Sequence, residues 1–215
     1  EWHKMITNGR RNLTNIGTYR THTEPMQVVS GRLDQPTVHF QAPPSEKIPA
    51  EMEQFINWFN KIHSSKNDLD LFPLIKSGIA HLYFVSIHPF EDGNGRIGRA
   101  IAEKSIALST KKPTLISLSH IIEANKKDYY TYLENNNKTL AITDWLLYFG
   151  NTVLNAQENT LKLIDFLIEK AKFFDRNTAL LNDRQLNVVK CLFEAGPPSF
   201  KGGLSAKNYI RIAKT

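Results

Sequence analysis

The sequence predicts an all-α protein that carries one small β-hairpin. Three observations lead to this. Apolar residues recur at helical spacing through most of the chain after Ala50. One stretch, near 26–41, has strand character instead. The segment before position 88 is apolar nearly all round, as in a central, buried helix.

The elements follow in order. Residues 17–49 are poor helix material. Met26-Gln27-Val28-Val29 is followed by Gly31, Asp34 and Pro36, and then by Thr37-Val38-His39-Phe40-Gln41. This reads as strand, turn and strand, with a longer loop over 31–36. Ala42-Pro43-Pro44 and Pro49 stop the second strand. Met52, Phe55, Ile56, Phe59 and Ile62 then recur at helical spacing, with Pro49 suited to the first turn. Asn67-Asp68 break the chain before a second helix, over about 71–87, whose face holds Ile75, Ile79, Leu82 and Val85. A third helix begins near Arg96 and is closed by Pro113. A fourth, from near Ser119, carries Ile122, Tyr129, Tyr130 and Leu133 and ends in Asn135-Asn136-Asn137. Thr143 or Asp144 caps the next, which buries Trp145, Leu146, Phe149, Val153 and Leu154 and continues to about Phe174. Leu181 to Gln185 read as a cap before a short helix to Ala195; glycines and prolines over 196–203 precede a last helical segment at 205–212.

A chain of 215 residues is one domain, or one domain with a small appendage, and can bury a core without disulfides. Its 41% hydrophobic and 22% charged residues are those of a soluble globular protein. No apolar run approaches the ~20 residues that span a bilayer, and no secretory signal is visible. The opening Glu1-Trp2-His3-Lys4-Met5 lacks an initiator methionine, so further residues are expected upstream. The single cysteine, Cys191, lies in an apolar pattern and reads as a buried free thiol, which suits a reducing, cytoplasmic location. A net charge of +6 agrees with a nucleotide or nucleic-acid partner, but equally with simple solubility.

The chemistry concentrates in His88-Pro89-Phe90-Glu91-Asp92-Gly93-Asn94-Gly95-Arg96-Ile97-Gly98-Arg99. A loop that ends at a helix N-terminus points backbone N–H groups outward, with the positive end of the helix dipole behind them. Glycines at 93 and 95 let the backbone approach a ligand and adopt positive φ. Arg96 and Arg99 share a face at the helix start. Two cations there oppose the dipole, unless an anion with several oxygens offsets the cost. Asp92 beside such a cradle would repel phosphate unless a cation lies between them, and Mg²⁺ is the natural choice. Glu91 is its neighbour, and only one of the two is expected as a ligand. His88, with an ordinary pKa of ~6.5, suits proton transfer near neutrality. Pro89 is expected to hold His88 in extended geometry and so to end the preceding helix. Phe90 reads as a packing anchor. Each residue alone reads as structural: a core histidine, a glycine turn, an Asp-Gly bend. Together with the arginine pair they point to a nucleotide-phosphate site.

This stretch matches the pattern HPFx(D/E)GNGRxxR in full, and on it the chain resembles the Fic (Fic/DOC) domain family of the protein adenylyltransferase type. The resemblance extends from about Gly17 to about Phe149 and includes Ala80-His81-Leu82 and Ala42-Pro43-Pro44. It implies a Fic-type helical core with a small β-hairpin flap over residues 1–176. Residues 177–215 resemble a partial winged-helix extension. The implied reaction moves AMP from ATP, the co-substrate, to a Ser, Thr or Tyr hydroxyl of a target protein. By the resemblance, His88 is the general base and Asp92 holds Mg²⁺. Gly93, Asn94 and Gly95 hold the phosphates, and Arg96 and Arg99 bind the β/γ end. Tyr129, Tyr130 and Asn137 match positions that frame the nucleoside, although core packing and helix capping would equally explain them. Val38, His39, Phe40 and Gln41 of the flap would cover the nucleotide and offer an edge to an extended target segment.

Related chains carry an inhibitory helix, (S/T)xxxE(G/N), whose Glu pairs with the second arginine of the motif. Ser119-His120-Ile121-Ile122-Glu123 has the spacing but is followed by Ala124, so no intact copy is present. Other chemistry of the same family (phosphotransfer, phosphocholine transfer or removal of AMP) is the nearest alternative. A nucleotide- and DNA-binding regulator with little turnover is a second, and DNA would be a partner only if the full-length protein holds a complete winged helix. No membrane partner is expected, and a homodimer is compatible with the sequence.

Overall fold

The computed structural model describes residues 1–32, 34–64, 72–195 and 204–213. The chain break expected at Asn67-Asp68, the separator at 196–203 and part of the hairpin loop lie outside them. Two units emerge, residues 1–158 and 159–215. The boundary expected at 176/177 falls at the end of a long helix, α7, that runs through Thr143–Asn177.

The first unit opens with a short helix, α1 (Trp2–Ile6), which the sequence reading did not include. A two-stranded antiparallel hairpin follows, β1 (Gln27–Arg32) and β2 (Gln35–Gln41). Pairing extends outward to Arg32 opposite Gln35, so the longer loop expected over 31–36 is instead mostly strand. Pro36 is tolerated because each strand of a two-stranded sheet has a free edge. The register places Val28 opposite Phe40 but Val29 opposite Val38, which leaves His39 as a bulge residue.

The helical core comprises α2 (Ile48–Ser64), α3 (Pro73–Ile87), α4 (Asn94–Thr110), α5 (Leu118–Ala124), α6 (Lys126–Asn136) and the start of α7. The single helix expected from Ser119 is two, divided at Asn125. α3 is the central element and contributes to two apolar clusters. On one side, Leu82 packs with Ala102, Leu118, Trp145 and Phe149. On the other, Phe84 and Ile87 pack with Ile48, Met52, Phe55 and Ile97. Burial of each large side chain contributes about 1.5–3 kcal/mol. Small residues set the closest approaches. A Cβ at Gly78 would lie 3.0 Å from Leu146 and 3.2 Å from Phe149, and one at Gly98 would lie 2.8 Å from Val85.

The second unit holds the rest of α7, α8 (Asp183–Ala195) and α9 (Ala206–Ala213). Phe166, Phe173 and Phe174 surround Phe193. The cap read at 181–185 is present: Gln185 N donates to Asn182 Oδ1 and Asn182 N to Gln185 Oε1, both at 3.0 Å. Cys191 is free and only half-buried. Among the described residues, no helix is long and apolar enough to cross a membrane.

Candidate active site

The loop between α3 and α4 is held from all sides. Asn94 is 2% exposed. Its Oδ1 accepts from Phe90 N at 3.0 Å and its Nδ2 donates to Phe90 O at 2.7 Å. Expected at the phosphates, the Asn94 side chain is instead engaged in bracing the loop. Phe90 stacks on His3 with ring centroids 4.2 Å apart, which makes it the anchor read from the sequence. His3 in turn accepts from Gly17 N through Nδ1 and donates to Asp92 O through Nε2. Glu91 accepts from Thr14 N at 2.8 Å and from Asn15 Nδ2 at 2.7 Å, so it clamps the loop and leaves Asp92 as the carboxylate near the glycines.

Gly93 is the N-cap of α4 at φ 85°, and no side chain caps that end. The first-turn amides, including that of Gly95, therefore have no capping partner. Gly95 itself lies within the helix rather than at positive φ. At Gly93 the left-handed backbone requires glycine, and a Cβ would also displace the end of the Ile6 side chain, whose Cδ1 would lie 2.7 Å away. Gly93→Ala is expected to lower stability by about 1–2 kcal/mol for the left-handed backbone alone, with more for the contact. A urea midpoint unchanged by the substitution would contradict this.

His88 ends α3 as expected, but not in extended geometry. It is the C-cap at φ 52° and ψ 57°, left-handed. Proline disfavours the right-handed region for the residue before it, and the left-handed turn satisfies that while His88 N still bonds Phe84 O at 3.2 Å. The turn is held by Arg20, which is 2% exposed. Its Nε donates to His88 O at 2.9 Å and its backbone N to Pro89 O at 2.9 Å. Its other nitrogens reach Ser45 Oγ and Pro43 O. His88 Nδ1 lies 3.3 Å from Val85 O. A carbonyl only accepts, so Nδ1 carries the hydrogen and Nε2 keeps its lone pair. Burial, with the Arg20 charge, pushes the imidazole pKa down to about 4, despite the Val85 bond and the Asp92 charge. His88 is therefore neutral at pH 7.

Two adjoining cavities share His88, Gly95, Arg99, Tyr129 and Tyr130. One, of about 150 Å³, is a largely apolar slot walled by Val28, Phe40, Val85 and Leu133, and lined also by Glu134 and Asn137. The other, of about 420 Å³, is a polar basin that holds Arg10, Asp92, Arg96 and Lys126. Arg96 donates to Ile6 O at 2.9 Å and pairs with Asp92 Oδ2 at 3.0 Å. Arg10 reaches the same oxygen at 3.3 Å. Arg99 diverges from Arg96: its Nε donates to Ser119 Oγ at 2.9 Å.

Of the four flap residues expected at the site, His39 and Phe40 line the slot. Val38 and Gln41 do not: Val38 is half-exposed, and Gln41 bonds Gln27 on the neighbouring strand. The bulge breaks the strand alternation and brings His39 to the same side as Phe40. His39 Nδ1 meets Glu134 Oε2 at 2.6 Å, which joins β2 to α6. Tyr129 is buried and Tyr130 half-exposed, packed edge-on at 5.2 Å. The capping asparagine is Asn136, whose Oδ1 accepts from Trp145 N. Asn137 lines the slot with its Oδ1 buried and unpartnered. Sequence reasoning missed His3, Arg10, Arg20 and Glu134: the first three lie in a stretch before the hairpin that carries no motif, and Glu134 lies on a helix whose apolar residues drew the reading.

Residues 1–105 match the model of the Fic/DOC family. Over 116 residues the chain is 31% identical to "Protein adenylyltransferase Fic" of Nematostella vectensis, which covers 54% of this chain and 25% of that protein. Over 118 residues it is 30% identical to the protein of the same name from Drosophila virilis, covering 54% and 22%. The chain thus spans about a quarter of the length of the curated relatives it matches. A Fic-domain-containing signaling protein from Bacteroides thetaiotaomicron shares the fold, with a TM-score of 0.56 and 22% identity over 74% of this chain and 59% of the other. Residues 1–105 thus belong to the Fic/DOC family, within a helical fold shared with a Fic-domain protein.

Proposed function

We propose that the chain is a protein adenylyltransferase that transfers AMP from ATP to a Ser, Thr or Tyr hydroxyl of a target protein. One observation carries the reading. A neutral imidazole, its Nδ1–H fixed on Val85 O, stands where an apolar slot meets a polar basin that holds three arginines. The slot suits a nucleoside and the basin a polyphosphate. The names of the relatives support the same reaction class.

In this reading the triphosphate lies against the first-turn amides of α4, with Arg96 and Arg99 toward its far end. His88 Nε2 accepts the proton of the target hydroxyl as its oxygen attacks the α-phosphorus. The bond from that phosphorus to the bridging oxygen breaks, and pyrophosphate leaves with its charge balanced by the guanidinium groups. Val28 and Phe40 exclude water from the nucleoside side.

Asp92 is the residue that would hold Mg²⁺. Among the described residues no group of three or more His, Cys, Asp or Glu side chains could form a metal cage by itself. Mg²⁺ bound through one carboxylate, substrate phosphates and water does not need one, and Asp92 faces the basin with its carboxylate part-exposed. The donor set fits. Bound there, the ion would neutralise phosphate charge.

Labelled ATP with Mg²⁺ and a protein extract should place label on a protein, and intact-mass measurement should show the addition of one AMP. Addition of phosphate alone would refute adenylyl transfer. The acid limb of kcat/KM should reflect the base in the free enzyme. A base must be deprotonated to act, and the His88 pKa is lowered to about 4. Activity should therefore hold level from neutrality to about pH 5 and fall below that. A limb near 6.5 would contradict it.

A further inference from the structure

A buried polar chain runs from the middle of the aromatic core to the phosphate basin. His81, on α3, is fully buried. It stacks on Trp145 at 5.5 Å and on Phe149 at 5.8 Å. Its Nε2 lies 2.8 Å from the hydroxyl of Tyr129, itself 3% exposed. The Arg99 guanidinium lies close enough for its charge to act on that same hydroxyl, and both residues line the two cavities.

The donor inventory sets the direction of this chain. A guanidinium only donates, so toward Arg99 the Tyr129 oxygen can act only as an acceptor. Its O–H is then free to donate to His81 Nε2, which must carry a lone pair. Burial pushes the His81 pKa down to about 4, against the Gly98 backbone and with the Arg99 charge. The ring is thus neutral at working pH and always has an acceptor. Its hydrogen sits on Nδ1, beside the Gly98 backbone without a well-formed bond. Close packing fixes the ring, since a Cβ at Gly98 would lie 3.2 Å from both Nδ1 and Cε1.

Core packing alone does not ask for this arrangement. A polar ring and a phenol among Trp145, Phe149 and Tyr148 are costly to bury unless paired. Here each pairs with the next, and the last link is the cation that faces the ligand. Ser119 Oγ at 2.9 Å holds the Nε side of the same guanidinium.

We infer that His81 is a positioning residue: through the Tyr129 hydroxyl it orients Arg99 toward the β- and γ-phosphates of ATP. The inference rests on the reading that these cavities bind ATP. It also assigns the Tyr129 hydroxyl to Arg99 rather than to the nucleoside.

The test measures ATP and AMP affinity by titration calorimetry on the whole chain, together with Tm, for wild type, His81→Leu, His81→Gln and Tyr129→Phe. Loss of a hydrogen bond to a charged group should weaken ATP binding about tenfold. AMP lacks the phosphates that Arg99 reaches and should bind as in wild type. His81→Gln, which can accept at a similar position, should retain most of the ATP affinity. The double variant His81→Leu/Tyr129→Phe should bind ATP no more weakly than either single variant, because both cut one chain. If ATP and AMP weaken together, or neither weakens, the inference is overturned. Should His81→Leu fail to fold, Tyr129→Phe, which keeps the ring, decides by the same two affinities. A wild type that binds neither nucleotide overturns the functional reading instead.

Discussion

His88→Ala should slow transfer of AMP by about 10²–10⁴-fold, the usual contribution of a positioned general base. Nucleotide binding should survive, because the first-turn amides of α4 and the guanidinium groups of Arg96 and Arg99 are untouched. The expectation rests on tautomer and burial together. Val85 O fixes the hydrogen on Nδ1, so the lone pair is on Nε2. With a pKa near 4 the ring is almost wholly in the accepting form at pH 7. Such a base is weaker than one of pKa 7, so its advantage lies in position, not in proton affinity. The check is the initial rate of label transfer at saturating ATP, beside the dissociation constant for ATP. Equal rates in the two proteins would remove His88 from the mechanism. Equal loss of rate and of ATP affinity would make it a structural residue of the loop.

Arg20→Ala should cost about 3–4 kcal/mol of stability and lower Tm by roughly 10 °C. Arg20 is a nearly buried cation whose side chain donates to two carbonyls, those of His88 and Pro43, and to Ser45 Oγ. Removal takes the Arg20 donors from those part-buried acceptors, at about 1–3 kcal/mol each, partly offset by water entering the space. Burial lowers its pKa below the ordinary value for arginine, yet arginine stays charged at any working pH. Arg20→Lys should not restore the loss, since one ammonium cannot reproduce a planar fork across three acceptors. Thermal unfolding measures the effect, and a change below about 1 kcal/mol would contradict the clamp. The same variant should lose transfer activity below its Tm, because the left-handed turn at His88 depends on that bond.

The parts of the molecule that were legible in the sequence share a physical basis. Local patterning revealed α2, α3, α4 and α7, because each buries a face at helical spacing. The motif at 88–99 was legible because cations, glycines and an acid in one short loop have few other uses. Tertiary packing hid the rest. Gly78 and Gly98 mark close helix contacts, and apolar counting passes over them. The left-handed turn at His88 follows from Arg20, 68 residues away. The bulge that turns His39 toward the slot depends on strand register, which β-branched content alone does not set. Asn94 was expected at the phosphates from the family resemblance. Its two bonds to Phe90 show that an amide can instead serve as the internal strut of a loop.

The partners of the loop at 88–94 lie mostly near the start of the chain: His3, Thr14, Asn15 and Arg20. A fragment that begins after position 20 would keep every letter of the signature by which such domains are recognised, and still lack the scaffold that gives those letters their shape. The shape of this loop is thus a property of contacts between distant stretches of chain, complete only when residues 3–20 fold back onto residues 88–94.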